Sequence, residues 1–229
     1  TPSPPPDITN SIGMKLVLIS AGEFMMGSKS AEELARKVGP DEVFIESEQP
    51  RHQVKITKPF YLGMTEVTQG QYERVMGENP SNFKGDAQRP VDSVSWEDAV
   101  EFCRRLSEKE GKTHQLPTEA QWEYACRAGS TTKWCFGDDA AQLRDYAWYS
   151  DNSNKTTHPV GQKKANGWGL YDMHGNVLEW CSDCYDGEYY RNSPSTDPTG
   201  PSSDSISRRV GRGGHFRYIA GGCRSAYRG

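Results

Sequence analysis

The sequence predicts an α+β chain in which regular secondary structure is sparse. Three observations carry this. Two short alternating stretches read as strands, and three later stretches carry helix caps. The 23 glycines and 14 prolines among 229 residues call for long, ordered, irregular connections. Over 130–229 almost no helical or strand period is visible, which is unusual unless function or a metal fixes the chain.

Taken in order, Thr1-Pro2-Ser3-Pro4-Pro5-Pro6 is an extended proline-rich opening. Residues 1–13 therefore read as a linker and 14–229 as the domain. The length is ample to bury a core. Residues 14–24 alternate loosely and predict a first strand, closed by a turn at Gly27-Ser28. The stretch 29–50 is charged and poorly patterned, and its AEELARKVG piece suggests a short surface helix. Residues 53–56 alternate polar and apolar and predict a second strand, which 60–62 extend as part of the sheet.

Three helices have a hydroxyl at the start and a glycine at the end. Thr68 with Gln71 opens one that stops at Gly77. Ser95 with Asp98 opens one that stops at Gly111. Thr118 with Gln121 opens one that stops at Gly129. The second should bury Ala99, Cys103 and Leu106 beside Trp96, the third Trp122, Ala125 and Cys126.

Net charge is −4, from 27 basic and 31 acidic residues, so nothing points to nucleic acid. No apolar run reaches the length of a membrane helix, and no signal peptide is visible. The compartment stays open.

The densest stretch is 166–185, NGWGLYDMHGNVLEWCSDCY. It is too polar for a core strand and too aromatic for a solvated loop. Asp172, Asn176 and Glu179 set oxygens at short spacing around Gly175. Hard cations such as calcium take several oxygens on a sharply bending chain. A plain hydrogen-bonded loop is the competing reading. His174, in the same loop, offers a ligand, acid or base, against the plainer reading of polar surface. Cys181 and Cys184 form one CxxC, a metal or redox pair or simply two packed thiols. The five histidines show no ligand spacing, and there is no GxSxG, P-loop or HExxH.

GLYDMHGNVLEW resembles a signature of the formylglycine-generating enzyme (sulfatase-modifying factor) family. MKLVLISAGEFMMGS, PFYLGMTEVTQGQY, RPVDSVSWEDAVEFC, LPTEAQWEYACRAG and the closing RVGRGG and CRSAYR agree with it, in the family's order over 14–228. The resemblance implies an elaborated C-type-lectin-like α+β fold. It implies a structural calcium ion held by Asp172, Gly175, Val177 and Glu179. A second calcium site of the family, near 147–151, is not carried over. It also implies that Cys126 lies near Cys223, the two being bridged if the compartment is oxidising.

The family's oxidases use a copper-binding cysteine pair in the C-terminal segment, since soft thiolates suit Cu(I). Here that segment holds only Cys223, in the CRSAYR context. The pair has no match, which argues against copper and against an enzyme. After RGG the usual Ser-Trp and asparagine-rich run is replaced by His215-Phe216-Arg217-Tyr218-Ile219-Ala220-Gly221-Gly222. Aromatics and arginine beside glycines are the composition of a binding surface; a diverged family loop is the competing reading.

The expected function is thus a non-enzymatic ligand-binding or display module. His215, Phe216, Arg217, Tyr218, Ile219, Gly221, Gly222 and Tyr227 would meet a protein or other surface ligand. Arg209, Gly213, Gly214, Cys223 and Arg224 would frame them. A subgroup of this fold consists of variable proteins of diversity-generating retroelements. Randomising the adenines of an AAY codon cannot give Lys, Glu, Gln, Met or Trp, and none of these occurs in 215–229. The alternatives are a copper-dependent oxidase of sulfatase cysteine, or an accessory or sensory domain of a larger protein. The family usually continues past CRSAYR with a further turn and strand. The sequence ends at Gly229.

Overall fold

The computed structural model describes residues 7–28, 45–202 and 208–229. The predicted AEELARKVG helix and residues 1–6 lie outside them. Among the described residues the strands form three small antiparallel sheets. Strands β1 (Ile8–Thr9), β2 (Lys15–Ile19) and β5 (Phe60–Gly63) form a sheet in the order β1-β2-β5. β3 (Gly22–Met26) pairs with β4 (His52–Ile56), Phe24 opposite Val54. β6 (Glu179–Cys184) pairs with β7 (Arg209–Arg212), with an irregularity between Trp180 and Cys184.

The single strand expected over 14–24 is therefore two. The chain breaks at Ser20-Ala21 and passes from one sheet to another. Residues 60–62 do form a strand, but beside β2 rather than β4. The linker boundary at 13 also moves. Ile8 pairs with Leu16, and Ile12 is only 2% exposed, so residues 8–13 belong to the domain.

The helices are α1 (Gln69–Met76), α2 (Trp96–Glu110), α3 (Glu119–Arg127) and the single turn α4 (Leu143–Tyr146). Thr68, Ser95 and Thr118 each close a reciprocal capping box. Gly77 and Gly111 end α1 and α2 in the left-handed region. α3 ends one residue earlier than expected, on left-handed Ala128 rather than Gly129. Trp96 leaves the buried face of α2. Its Nε1 donates to the Cys181 carbonyl, and the Arg209 guanidinium lies 3.8 Å above its ring. Phe102 and Leu106 fill the buried face.

α3 is the central element, packed on β3, β4, β6 and β7. Trp122, Ala125 and Cys126 join Val17, Ile19, Val54, Ile56 and Val210 in the main core. Buried charge then locks the C-terminus onto this core. Arg224 grips Glu48 with two bonds of 2.7 Å, and Arg228 grips Glu119 at 2.6 and 2.9 Å. Arg212 pairs with Glu123, which also accepts from Arg127 Nε at 2.8 Å. Burial alone would raise the Glu123 carboxyl, but Arg127 and Arg212 outweigh it and hold it below its ordinary value.

Candidate functional site

The loop before β6 is tied down residue by residue. Asn166 accepts from the N–H groups of Trp168 and Leu170 and donates to the Ala125 carbonyl at 2.8 Å, which fixes the loop on the end of α3. Asp172 and Asn176 hold positive φ angles of 58° and 64°. Such angles cost a non-glycine residue energy unless side-chain bonds compensate. They do here. Asp172 Oδ2 accepts from Gly161 N at 2.7 Å. Asn176 donates to Glu66 Oε2 at 2.8 Å and accepts from His158 N at 2.9 Å. Between them Gly175 lies against Trp148, where a Cβ would stand 2.3 Å from the Trp148 carbonyl oxygen. Gly175→Ala should therefore cost about 1–3 kcal/mol by overpacking, read as a loss of melting temperature. A melt equal to wild type would show that the loop can shift.

Three carboxylates crowd this loop. Glu66 is raised well above its ordinary value by burial first, then by the charges of Asp172 and Glu179. Burial lifts Asp172 to about 6 and Glu179 to about 7, Asp172 adding to the latter. Glu66 is engaged, by Asn176 and by Val177 N at 2.9 Å. Asp172 Oδ1, in contrast, is buried without a partner. Among the described residues no three His, Cys, Asp or Glu side chains are grouped as metal ligands. Of the four calcium ligands the resemblance implies, Asp172, Gly175, Val177 and Glu179, the two carboxylates lie close enough for the Asp172 charge to act on Glu179. Glu66 escaped the sequence reading. Its one signal is a lone acid in apolar surroundings just before the Thr68 cap.

His174 is not polar surface. It is 2% exposed. Its Nδ1 donates to the Cys223 carbonyl at 3.0 Å, and its Nε2 accepts from Cys135 N at 3.2 Å. Burial lowers its pKa to about 4, so the ring is neutral with both nitrogens used. It pins three segments together. Cys126 and Cys223, expected as neighbours that an oxidising compartment would bridge, are here two buried, unbridged thiols. The His174 ring occupies the space by them, 3.9 Å from Cys126 Sγ and bonded to the Cys223 carbonyl. Burial pushes the Cys223 thiol up to about 12. Cys181 and Cys184 are likewise buried, and Arg209 Nη1 donates to Cys184 Sγ at 3.1 Å.

After β7 the chain turns on Gly213 and Gly214, with φ of 92° and 73°. The next residues lean on the loop described above. Phe216 N donates to Asn176 O at 3.0 Å, and Ser153 Oγ to Phe216 O at 2.6 Å. His215 lies 3.8 Å from the Tyr218 ring, and Phe216 meets Phe83 edge-on at 5.2 Å. Arg217 is exposed, and Ile219 is 43% exposed.

The other expected contacts fall in the frame. Tyr227 is only 8% exposed, because its chain is held under Arg212, whose Nη1 donates to the Tyr227 carbonyl at 2.7 Å. Gly222 lies beneath the Tyr218 ring, where a Cβ would meet it at 2.9 Å. The Gly221 carbonyl accepts from Arg224 Nε. The surface thus narrows to His215, Phe216, Arg217 and Ile219, with Tyr218 half-buried at their base. Beside it opens a cavity of ≈ 960 Å³, lined by His215, Phe216 and Arg217 together with Phe83, Leu178 and Trp180. Its walls come from distant stretches of sequence, so no local pattern announces it.

Known proteins are similar to this chain to different extents. The structure of Treponema denticola variable protein 1 superposes with a TM-score of 0.84 at 31% identity, over 98% of this chain and 93% of that one. PvdO from Pseudomonas aeruginosa superposes with a TM-score of 0.83 at 27% identity, over 100% and 93%. The formylglycine-generating enzyme of Streptomyces coelicolor is 36% identical over 148 residues, which is 59% of this chain but 45% of that protein. The chaperone protein LppX of Paenibacillus barcinonensis is 35% identical over 172 residues, 53% of this chain and 61% of that protein. The chain thus spans less than two thirds of these two relatives. Residues 4–229 match the model of the sulfatase-modifying factor enzyme 1-like domain, and the chain belongs to that family.

Proposed function

We propose that this chain is a non-enzymatic binding module. It presents His215, Phe216, Arg217 and Ile219 to a partner on a frame that does not depend on them. The observation that carries this reading is the division of labour within residues 212–228. Arg212, Arg224 and Arg228 are buried and paired with Glu123, Glu48 and Glu119, while Arg217 and Ile219 face solvent. The likeness to a variable protein over nearly the whole chain supports it.

In the finer form, residues 215–222 are rewritten by a diversity-generating retroelement. Sequencing the DNA around the gene tests this. A nearby near-copy of the last coding stretch, with adenines wherever this segment differs and a reverse transcriptase beside it, is the expected result. Flanking DNA without such a copy would remove the diversification and leave an ordinary binding paralogue.

A calcium ion fits the loop beneath this surface. Asp172, Glu179 and the Gly175 and Val177 carbonyls would hold it, and it would supply charge compensation for the crowded carboxylates rather than reaction chemistry. Because Phe216 hangs on Asn176, bracing the loop braces the surface.

The oxidase reading finds little support. Cys223 alone falls in the C-terminal segment, and burial keeps its thiol protonated. Protein loaded with Cu(I) and given a peptide bearing a sulfatase cysteine should leave that cysteine unmodified by mass spectrometry. Formylglycine in the peptide would restore the enzyme reading.

A further inference from the structure

Residues 215–218 form a turn whose main chain is held almost wholly without its own side chains. Tyr218 N donates to His215 O at 2.8 Å and closes the turn. The His215 amide is bonded to the Cys223 thiol. Phe216 N donates to Asn176 O at 3.0 Å, Ser153 Oγ to Phe216 O at 2.6 Å, and Ser150 N to Tyr218 O at 2.9 Å. None of these bonds uses a side chain of the turn. The Arg217 amide is the exception. It donates to His215 Nδ1 at 3.0 Å.

An Asp, Asn or Ser at the start of a turn accepts in this way from the N–H two residues on. Here an imidazole does so. The same ring packs on Tyr218, with centroids 3.8 Å apart. An accepting Nδ1 carries no proton, so the neutral ring bears its proton on Nε2. A protonated ring has a donor at both nitrogens and must let the Arg217 amide go.

We propose that His215 is a positioning residue of the binding surface: its neutral imidazole sets the turn that presents Phe216 and Arg217, and its protonation frees that turn and releases the partner in mild acid. The inference rests on the binding-module reading and supplies its regulation. The titratable neighbours of the ring are Arg217, Tyr218 and Cys223. Burial first, and then the Arg217 guanidinium, hold the His215 pKa below its ordinary value. Cys223, pushed up to about 12, stays a neutral thiol, and the Asp151 charge acts on that thiol. The turn is therefore complete above about pH 6.5 and is lost as pH falls through the lowered value.

Nuclear magnetic resonance of the whole chain tests the turn. The ring nitrogens should report the Nε2–H form at pH 7.5. The Arg217 amide shift should titrate together with the His215 ring. Its exchange with water should speed about fivefold on protonation, the size of one net hydrogen bond. His215→Asn supplies an acceptor that does not titrate, and should keep the Arg217 amide protected from pH 7.5 down to pH 5. His215→Phe keeps a ring against Tyr218 without an acceptor, and should leave that amide unprotected throughout. A ring protonated on Nδ1, an Arg217 amide that ignores the His215 titration, or protection in His215→Phe equal to wild type would each overturn the positioning role.

Release is read with linear peptides selected on the whole chain at pH 7.5 from a phage-displayed library, keeping those that Arg217→Ala no longer binds. Wild type should hold them about fivefold more weakly at pH 5, while His215→Asn should hold them equally at both pH values. Asp172 and Glu179 take up protons over the same range in both proteins, so the comparison isolates His215. An equal loss in both proteins, or none in either, would overturn the release. A library that yields no peptide dependent on Arg217 would count against the binding module itself, and the turn would still stand or fall on the spectra of the chain alone.

Discussion

Glu123→Gln should lower stability by about 3–5 kcal/mol, because it removes the counter-charge of buried Arg127 and the nearer of the two carboxylates on buried Arg212, which keeps Glu119 at 3.6 Å. At this chain length that is a fall of about 6–20 °C in melting temperature. Glu123 lies beneath Arg212 and Arg127, and all three are buried. Arg212 in turn donates to the carbonyls of Ser225, Ala226 and Tyr227 at 2.7–2.9 Å. Losing Glu123 should therefore also speed amide exchange across 225–228, ahead of global unfolding. Thermal melts and exchange by mass spectrometry read both effects. A variant within 2–4 °C of wild type, a loss of about 1 kcal/mol, would show that the pair is not what anchors the C-terminus.

Calcium should raise the melting temperature of protein first stripped with a chelator. At a hundredfold excess over its dissociation constant an ion adds about 2.7 kcal/mol, or about 5–10 °C here. Glu179→Gln should abolish the gain. The pH dependence has a definite sign. Asp172 and Glu179 titrate at about 6 and about 7 in the folded chain, above ordinary carboxylates. The metal-free folded state thus holds protons that the unfolded chain releases. The stability contributed by these two groups is full below about pH 4 and is lost as pH rises through 6 to 7. Calcium binds the ionised pair, so its stabilisation should grow across that window. Melts unchanged by calcium at pH 7.5, or a gain that survives Glu179→Gln, would remove calcium from this loop.

The fold was legible where local chemistry decides structure. The boxes at Thr68, Ser95 and Thr118 place three helix starts without error, since a cap is satisfied within four residues. The family signature fixed the architecture for the same reason, being a string of local motifs. Strand pairing was less legible. Residues 14–24 read as one strand because nothing at Ser20-Ala21 marks a break, and which strand lies beside β2 is settled by contacts forty residues away. β6 was read as loop, because Glu-Trp-Cys-Ser-Asp-Cys lacks the alternation that a half-buried strand shows.

The site divides along the same line. Asp172, Gly175, Val177 and Glu179 were named from one short loop, but Glu66 joins them from more than a hundred residues away. His174 and Tyr227 were misplaced because polar and aromatic residues late in a chain look like surface. Here a backbone carbonyl and a buried arginine draw them inward.

The central claim is that the side chains at 215, 216, 217 and 219 belong to a surface and not to the fold. The direct measurement is the melting temperature of a panel of proteins randomised at these four positions. Arg217 and Ile219 are exposed, and exposed positions shift stability by about 0.5 kcal/mol each, so variants changed at 217 and 219 should melt within about 4 °C of wild type, with the half-buried 215 and 216 adding about 1 kcal/mol each. A panel that mostly unfolds, or melts as low as Glu123→Gln, would show that the segment is part of the core and would contradict the display reading.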